Sequence, residues 1–274
     1  MKRTRVAGIL SAAIALLAVA VGPAAAQPSE NIGIISSLNL ELLYVAAIIT
    51  VVVEAILIYT VVRYRNNDDP KPTQENRRLE ITWTVTTAIV LLFVGVTAYA
   101  ALGSPLVGGV TAAQNPNAVE PAVTHDYPGA VGPSPADQEE VLEIEVTAQK
   151  YYWTFNYTET MENGNASTMV SMTSSAGEPL VLPSNRTVYL HVTSVDWLHA
   201  VHIPDLGLKQ DAMPGKYNTI TTELSPEAEG NRYQLYCAEY CGVGHSAMLG
   251  EVLVVSDDEY QQFVEDPEEF LANR

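Results

Sequence analysis

The chain has 274 residues, 47% apolar and 17% charged, with 32 Asp and Glu against 14 Lys and Arg and a formal net charge of -18. A soluble domain of this size would carry about 25% charged residues, so long uncharged stretches are expected. The acidity argues against a nucleic-acid binder, which needs a basic face, and two cysteines cannot make a disulfide scaffold.

The charge is unevenly spread. Residues 1–102 hold eight Lys/Arg and seven Asp/Glu, whereas residues 103–274 hold six and 25. The front begins with Lys2, Arg3 and Arg5, an apolar run from Ile9 to Val21, and Ala24-Ala25-Ala26. These three parts predict a signal peptide over 1–26, cleaved after the small residues; a first membrane anchor is the alternative reading. Residues 27–102 predict a transmembrane hairpin with helices at about 40–62 and 80–102, each near the 20 residues that span a bilayer. Five basic residues and three acids between Arg63 and Arg78 place that loop in the cytoplasm. The acidic C-terminal region then lies outside. Glu54 falls deep in the first helix. Such a group needs a partner, either within a helix bundle or on another membrane subunit.

Residues 103–140, with five Gly and six Pro, predict an extended linker. Alternation then predicts strands at Val141–Ala148, Tyr151–Tyr157, Arg186–Thr193 and Leu249–Val255, with further runs near Thr168–Met172, Tyr217–Leu224 and Arg232–Tyr236. Short strands with Gly, Pro, Asn and Ser punctuation indicate an all-β sandwich or barrel over 141–256. The tail, 257–274, reads as a short acidic helix interrupted at Pro267.

Both cysteines fall in one segment, Cys237-Ala-Glu239-Tyr-Cys241-Gly-Val-Gly-His245-Ser-Ala-Met248. Gly242 and Gly244 permit the tight backbone path such a loop needs. Soft sulfur with imidazole selects copper, and sulfur-rich sites also suit zinc. A disulfide would explain the cysteines but not His245 or Met248. A structural zinc site wants four Cys/His, and a mononuclear blue-copper site leaves one cysteine spare. Two thiolates in one loop can instead bridge two coppers, given a second histidine. His199 and His202 both compete, and spacing does not choose between them. His125, in the linker, and His191, in a strand, are set aside.

These residues resemble subunit II of the haem-copper cytochrome c oxidase family, with its dinuclear copper (CuA) centre. The resemblance rests on the sulfur loop, on Asp196-Trp-Leu-His199 followed by Pro204-Asp-Leu-Gly207-Leu-Lys-Gln-Asp211-Ala-Met-Pro-Gly215, and on Glu80-Ile-Thr-Trp83-Thr84 opening the second helix. It implies a two-helix transmembrane hairpin plus an all-β cupredoxin-like Greek-key barrel. It implies that Cys237 and Cys241 bridge two coppers, that His199 and His245 bind one each, that Met248 is a weak axial ligand, and that Glu239 gives its backbone carbonyl. The Glu239 side chain would reach a Mg²⁺ shared with subunit I. Glu80 would stand where a proton path opens; as a plain helix N-terminal acid it would only complement the macrodipole. Electrons would arrive through the aromatic run at Tyr151 and Trp153, where a family tryptophan is replaced by Tyr151. The implied function is to accept electrons from an external cytochrome c or small blue-copper donor and pass them to haem in subunit I, where oxygen is reduced. Oxidase subunit I, other oxidase subunits and membrane lipid are the implied partners. A membrane-anchored copper-binding or copper-delivery protein is the alternative. The excess acidity with few lysines suggests a halophilic, archaeal source.

Overall fold

The computed structural model describes residues 27–72, 75–104, 106–107, 141–160 and 166–274. The expected signal peptide, and 108–140 of the expected linker with His125, lie outside them. Helix α1 runs Glu30–Tyr64 and helix α2 Arg77–Leu102. Ser29 caps α1, its Oγ accepting from the Ile32 N–H at 3.2 Å. Asn76 caps α2 in the same way through Leu79. Both helices are apolar all round, the pattern of a membrane span, and residues such as Ile56, Val61, Leu91 and Leu92 stand more than half exposed.

Helix α1 begins ten residues before the expected start near residue 40. Ser36, Ser37 and Asn39 interrupt the apolar run there, yet they sit comfortably in a helix already nucleated and capped. At 1.5 Å per residue its 35 residues reach about 52 Å, well beyond a hydrocarbon core of about 30 Å. The helix is therefore longer than the bilayer requires, and its head is the end that meets the outer domain.

The outer domain is built from β1 (Leu142–Gln149), β2 (Tyr152–Thr160), β3 (Ala166–Thr173), β4 (Leu180–Pro183), β5 (Thr187–Ser194), β6 (His199–Ile203), β7 (Leu208–Ala212), β8 (Asn218–Glu223), β9 (Arg232–Cys237) and β10 (Leu249–Val255). They form two five-stranded sheets, ordered β3-β2-β1-β5-β8 and β4-β10-β9-β6-β7. The pairs β1/β5 and β4/β10 are parallel and the rest antiparallel. Strand alternation sends Ile144 and Val146, Phe155 and Tyr157, Leu190 and Val192, Val201 and Ile203, and Val252 and Val254 into the shared interior, all fully buried. The architecture is the expected cupredoxin-like domain. Strands β4, β6 and β7 were not expected, being too short for alternation to declare itself.

The tail forms α3 (Asp257–Glu265) and α4 (Pro267–Ala272), opened by a Ser256/Glu259 capping box. Tyr260, Phe263 and Phe270 pack beneath it.

Candidate metal centre

Strand β9 ends on Cys237, and the chain returns as β10 at Leu249, opposite Tyr236. The Cys237 N–H donates to the Met248 carbonyl at 3.1 Å and closes the loop between them. On the other side β9 pairs with β6, Val201 opposite Cys237, and the Ala238 N–H donates to the Ala200 carbonyl. Ladder bonds thus bring His199 beside the loop, although 38 residues separate it from Cys237.

The sulfurs of Cys237 and Cys241 lie 3.9 Å apart, both thiols being free; a disulfide would need about 2.05 Å. Each sulfur has its own imidazole. His199 Nδ1 is 3.7 Å from Cys237 Sγ, and His245 Nδ1 is 3.7 Å from Cys241 Sγ. Each also has a weaker donor. The Glu239 carbonyl lies 3.1 Å from Cys237 Sγ, and the Met248 sulfur 3.9 Å from Cys241 Sγ. Donors bound to one metal at 2.0–2.3 Å sit about 3.5 Å apart, so these spacings fit a metal-binding arrangement. His199, Cys237 and Cys241 offer donor atoms all within 4.8 Å of one another, and all three residues are buried. Two thiolates and two imidazoles alone would also make a structural zinc site, but the added thioether of Met248 and the Glu239 carbonyl lie outside the usual zinc set and favour copper.

Asp196 orients the first histidine. Its Oδ1 lies 3.0 Å from His199 Nε2, and its Oδ2 accepts from the Lys150 N–H at 2.9 Å. Burial alone would raise the Asp196 carboxyl, but the Lys150 N–H, His199 and the Trp197 N–H together hold it below its ordinary value. A carboxylate on Nε2 fixes the proton there and leaves Nδ1 free to bind a metal. The sequence carried this signal as Asp-x-x-His, read only as part of a family motif. Burial, then the adjacent Cys237, pushes the Cys241 thiol up to about 11.

His202 lies outside the cluster, its ring 4.9 Å from that of Tyr236. His191 is buried in β5 against Glu143 at 2.6 Å. Of the two aromatic candidates, Trp153 is fully buried, edge-on to His199 with ring centroids 6.4 Å apart. A fully buried ring cannot itself meet a docked donor. Tyr151 is partly exposed and lies over the metal loop. A Cβ on Gly242 (φ +127°) would stand 2.7 Å from its hydroxyl, and one on Gly244 would clash with its ring carbons. Tyr151 thus leaves no room for a Cβ at either position; the backbone asks for glycine only at Gly242, since Gly244, at φ -92°, has an ordinary conformation. Glu80 sits exposed in the first turn of α2.

The ligand-bearing segments carry an apolar collar. Val195, Trp197 and Leu198 flank His199, Tyr240 and Val243 flank Cys241, and Leu249 follows Met248. All six are exposed, Val243 by 97%. Lys150 caps Trp197, its Nζ 4.4 Å from the ring centroid.

Comparison with known proteins identifies the family. The family model "Cytochrome C oxidase subunit II, periplasmic domain" matches residues 142–255, and "Cytochrome C oxidase subunit II, transmembrane domain" matches residues 19–100. The chain is 29% identical over 242 residues to cytochrome c oxidase subunit 2 of Alkalihalophilus pseudofirmus, covering 84% of this chain and 59% of that one. It is 35% identical over 122 residues to the heme-copper oxidase subunit 2 of Aeropyrum pernix, covering 44% and 47%. Among solved structures, the periplasmic domain of subunit II of cytochrome oxidase of Bradyrhizobium japonicum is 27% identical, covers 45% of this chain and 91% of its own, and has a TM-score of 0.38. The chain thus spans about half the length of the two curated relatives named. The paired matches to hairpin and outer domain make it a membrane-anchored protein with its C-terminal domain outside. They also overturn the alternative expectation of a copper-delivery protein.

Proposed function

This chain belongs to the cytochrome c oxidase subunit II family, and on that premise we propose that it is the electron-accepting subunit of a haem-copper terminal oxidase in the cell membrane. An external cytochrome c or small blue-copper protein delivers electrons to it, and haem in subunit I receives them for the reduction of oxygen to water. One observation carries this reading: each of two buried sulfurs has its own imidazole nitrogen at 3.7 Å.

Cys237 and Cys241 would hold a dinuclear copper centre between them, with His199 and His245 as terminal ligands, Met248 as a weak ligand and Glu239 giving its carbonyl. Bound copper supplies one-electron oxidation and reduction, its charge shared across the two thiolates. The protein's own part is to keep the donors fixed. Asp196 holds the His199 ring in one tautomer and one orientation. The strand pairs β6/β9 and β9/β10 hold His199 and Cys237 on rigid backbone. Trp153 and Met248, both fully buried, keep water from the inner side. Ligands that barely move cost little reorganisation when charge changes, which favours fast transfer.

The Tyr151 ring, lying on the loop that carries Cys241 and His245, is the route by which electrons arrive. The apolar collar around it is the surface that partners cover. The half-buried Glu239 side chain faces subunit I and would hold a Mg²⁺ there. Glu80, at the cytoplasmic start of α2, stands where protons enter subunit I.

The test is copper analysis and spectroscopy of the purified oxidase. Two coppers in this subunit with a purple mixed-valence spectrum are expected, and Cys237→Ser or Cys241→Ser should abolish both. Undiminished copper in Cys237→Ser, or a single copper with a blue spectrum in the native protein, would overturn the assignment.

A further inference from the structure

The head of α1 is bound to the β-domain by a set of contacts that the metal centre does not need. The Ser29 hydroxyl, 1% exposed, donates to the Leu206 carbonyl at 2.7 Å. The Ser225 N–H donates to the Pro28 carbonyl at 3.1 Å and the Ser225 hydroxyl to the Gln27 carbonyl at 2.7 Å. Ser29 and Leu224 form an isolated antiparallel bridge. At the centre lies Asn31, also 1% exposed. Its Nδ2 donates to the Leu106 carbonyl at 2.5 Å and to the Thr221 carbonyl at 2.9 Å, and its Oδ1 accepts from the Thr222 hydroxyl at 2.7 Å. Leu106 follows α2, whereas Thr221 and Thr222 belong to β8. One carboxamide therefore joins both membrane helices to the outer domain.

The place of this joint matters. Strands β8 and β7 are edge strands of the two sheets, and the α1 head lies against β8 and the Pro204–Leu206 turn that leads into β7. Approach is so close that a Cβ on Gly207 (φ +68°) would stand 3.1 Å from the Ile32 backbone nitrogen and from Ile35 Cδ1. The Pro204–Leu206 turn is the continuation of β6, which begins at His199, and β7 pairs along β6 up to His199 opposite Ala212. The membrane anchor thus holds the strand pair that presents a candidate ligand, from its end remote from the ligand. A buried amide with three satisfied bonds is costly to leave unpaired, so its loss would free the domain to tilt.

We propose that Asn31 is a positioning residue: its carboxamide, bonded at once to Leu106, Thr221 and Thr222, locks the metal-bearing β-domain at one attitude over the membrane hairpin and thereby sets the rate at which electrons leave it for the partner subunit. The rate half of this inference rests on the oxidase reading above; the attitude half does not.

The test uses the assembled oxidase in membranes. Spin labels on noncanonical side chains at Ser37 and Asp258, both exposed, report the attitude by pulsed resonance distance measurement. The native protein gives one narrow distribution, and Asn31→Leu, similar in volume and without the three bonds, gives a broadened or shifted one. After flash reduction of the copper centre, its reoxidation by the partner's haem slows severalfold or more, in the direction that misplacing positioned reactants takes. Copper content, absorption spectrum, midpoint potential and the donor-to-copper rate stay as in the native oxidase. Thr222→Val removes one bond of the three, gives a smaller change in both readouts, and replaces Asn31→Leu if that variant does not assemble. An unchanged distance distribution in the assembled variant overturns the lock. A shifted distribution with unchanged internal transfer overturns its role in rate, and so does a slowing accompanied by lost copper or altered potential. If the native oxidase shows no flash-reducible copper, the proposed function falls, while the label distances still decide the lock.

Discussion

Single residues at the centre are fixed by what packs on them. Gly244, whose φ of -92° any residue could adopt, is glycine because the Tyr151 ring crowds the place a Cβ would take. Gly244→Ala should therefore lower the melting temperature of the β-domain through about 1–3 kcal/mol of overpacking. Adding Tyr151→Ala should recover most of it, a coupling that a double-mutant cycle reads directly. Strict additivity would mean the two residues do not compete for space. The thiols make a second prediction. With Cys241 pushed up to about 11 by burial and by Cys237, metal must displace its proton, so affinity should rise with pH across the neutral range. Competition with a chelator should show about a tenfold gain per pH unit for each proton displaced. An affinity flat between about pH 6 and 8 would indicate thiolates already formed without metal.

Among the secondary-structure elements, the tail is the one whose worth is easiest to measure. Phe263 of α3 is fully buried, its ring centroid 5.1 Å from that of Tyr157 and 5.8 Å from that of Phe270. Phe263→Ala should cost about 3–5 kcal/mol, seen as an earlier unfolding transition of the β-domain with copper stoichiometry retained in the folded fraction. A change below about 1 kcal/mol would show that the tail merely rests on the sheet. Elements also differed in how well their patterns announced them. Long alternating runs such as Val141–Ala148 and Arg186–Thr193 appeared as β1 and β5 within a residue or two. Strand β6, five residues ending before Pro204, did not, because its pairing comes from β7 and β9 rather than from its own periodicity. The head of α1 was missed for a related reason: Ser36, Ser37 and Asn39 look like a break until the β-domain beside them is known.

At the scale of the whole molecule, a net charge of -18 suggests steering of a basic donor, yet the surface around the centre is apolar, from Val195 to Leu249. Apolar contact is weakly sensitive to salt, whereas charge steering collapses once the Debye length shortens from about 10 Å at 0.1 M to 3 Å at 1 M. Donor oxidation by the complete oxidase should thus change little over that range. A steep fall would assign docking to the acidic surface instead.

Much of the proposed chemistry was legible in one dimension, because donor type and local spacing are one-dimensional facts. Cys237, Cys241, His245 and Met248 are carried by a single loop, and the membrane hairpin needs only length and hydropathy, since a bilayer tests nothing else first. What spacing left open was the partner from afar. His199 and His202 were equal candidates by position; the family resemblance pointed to His199, and the β6/β9 ladder gives the physical reason, turning one toward the sulfurs and the other onto Tyr236. The same holds for Asp196, Tyr151 and Asn31. Their roles depend on which surfaces distant segments bring within 3 Å of them, and hydrogen bonds and close packing act over that range alone, so tertiary structure had to decide them.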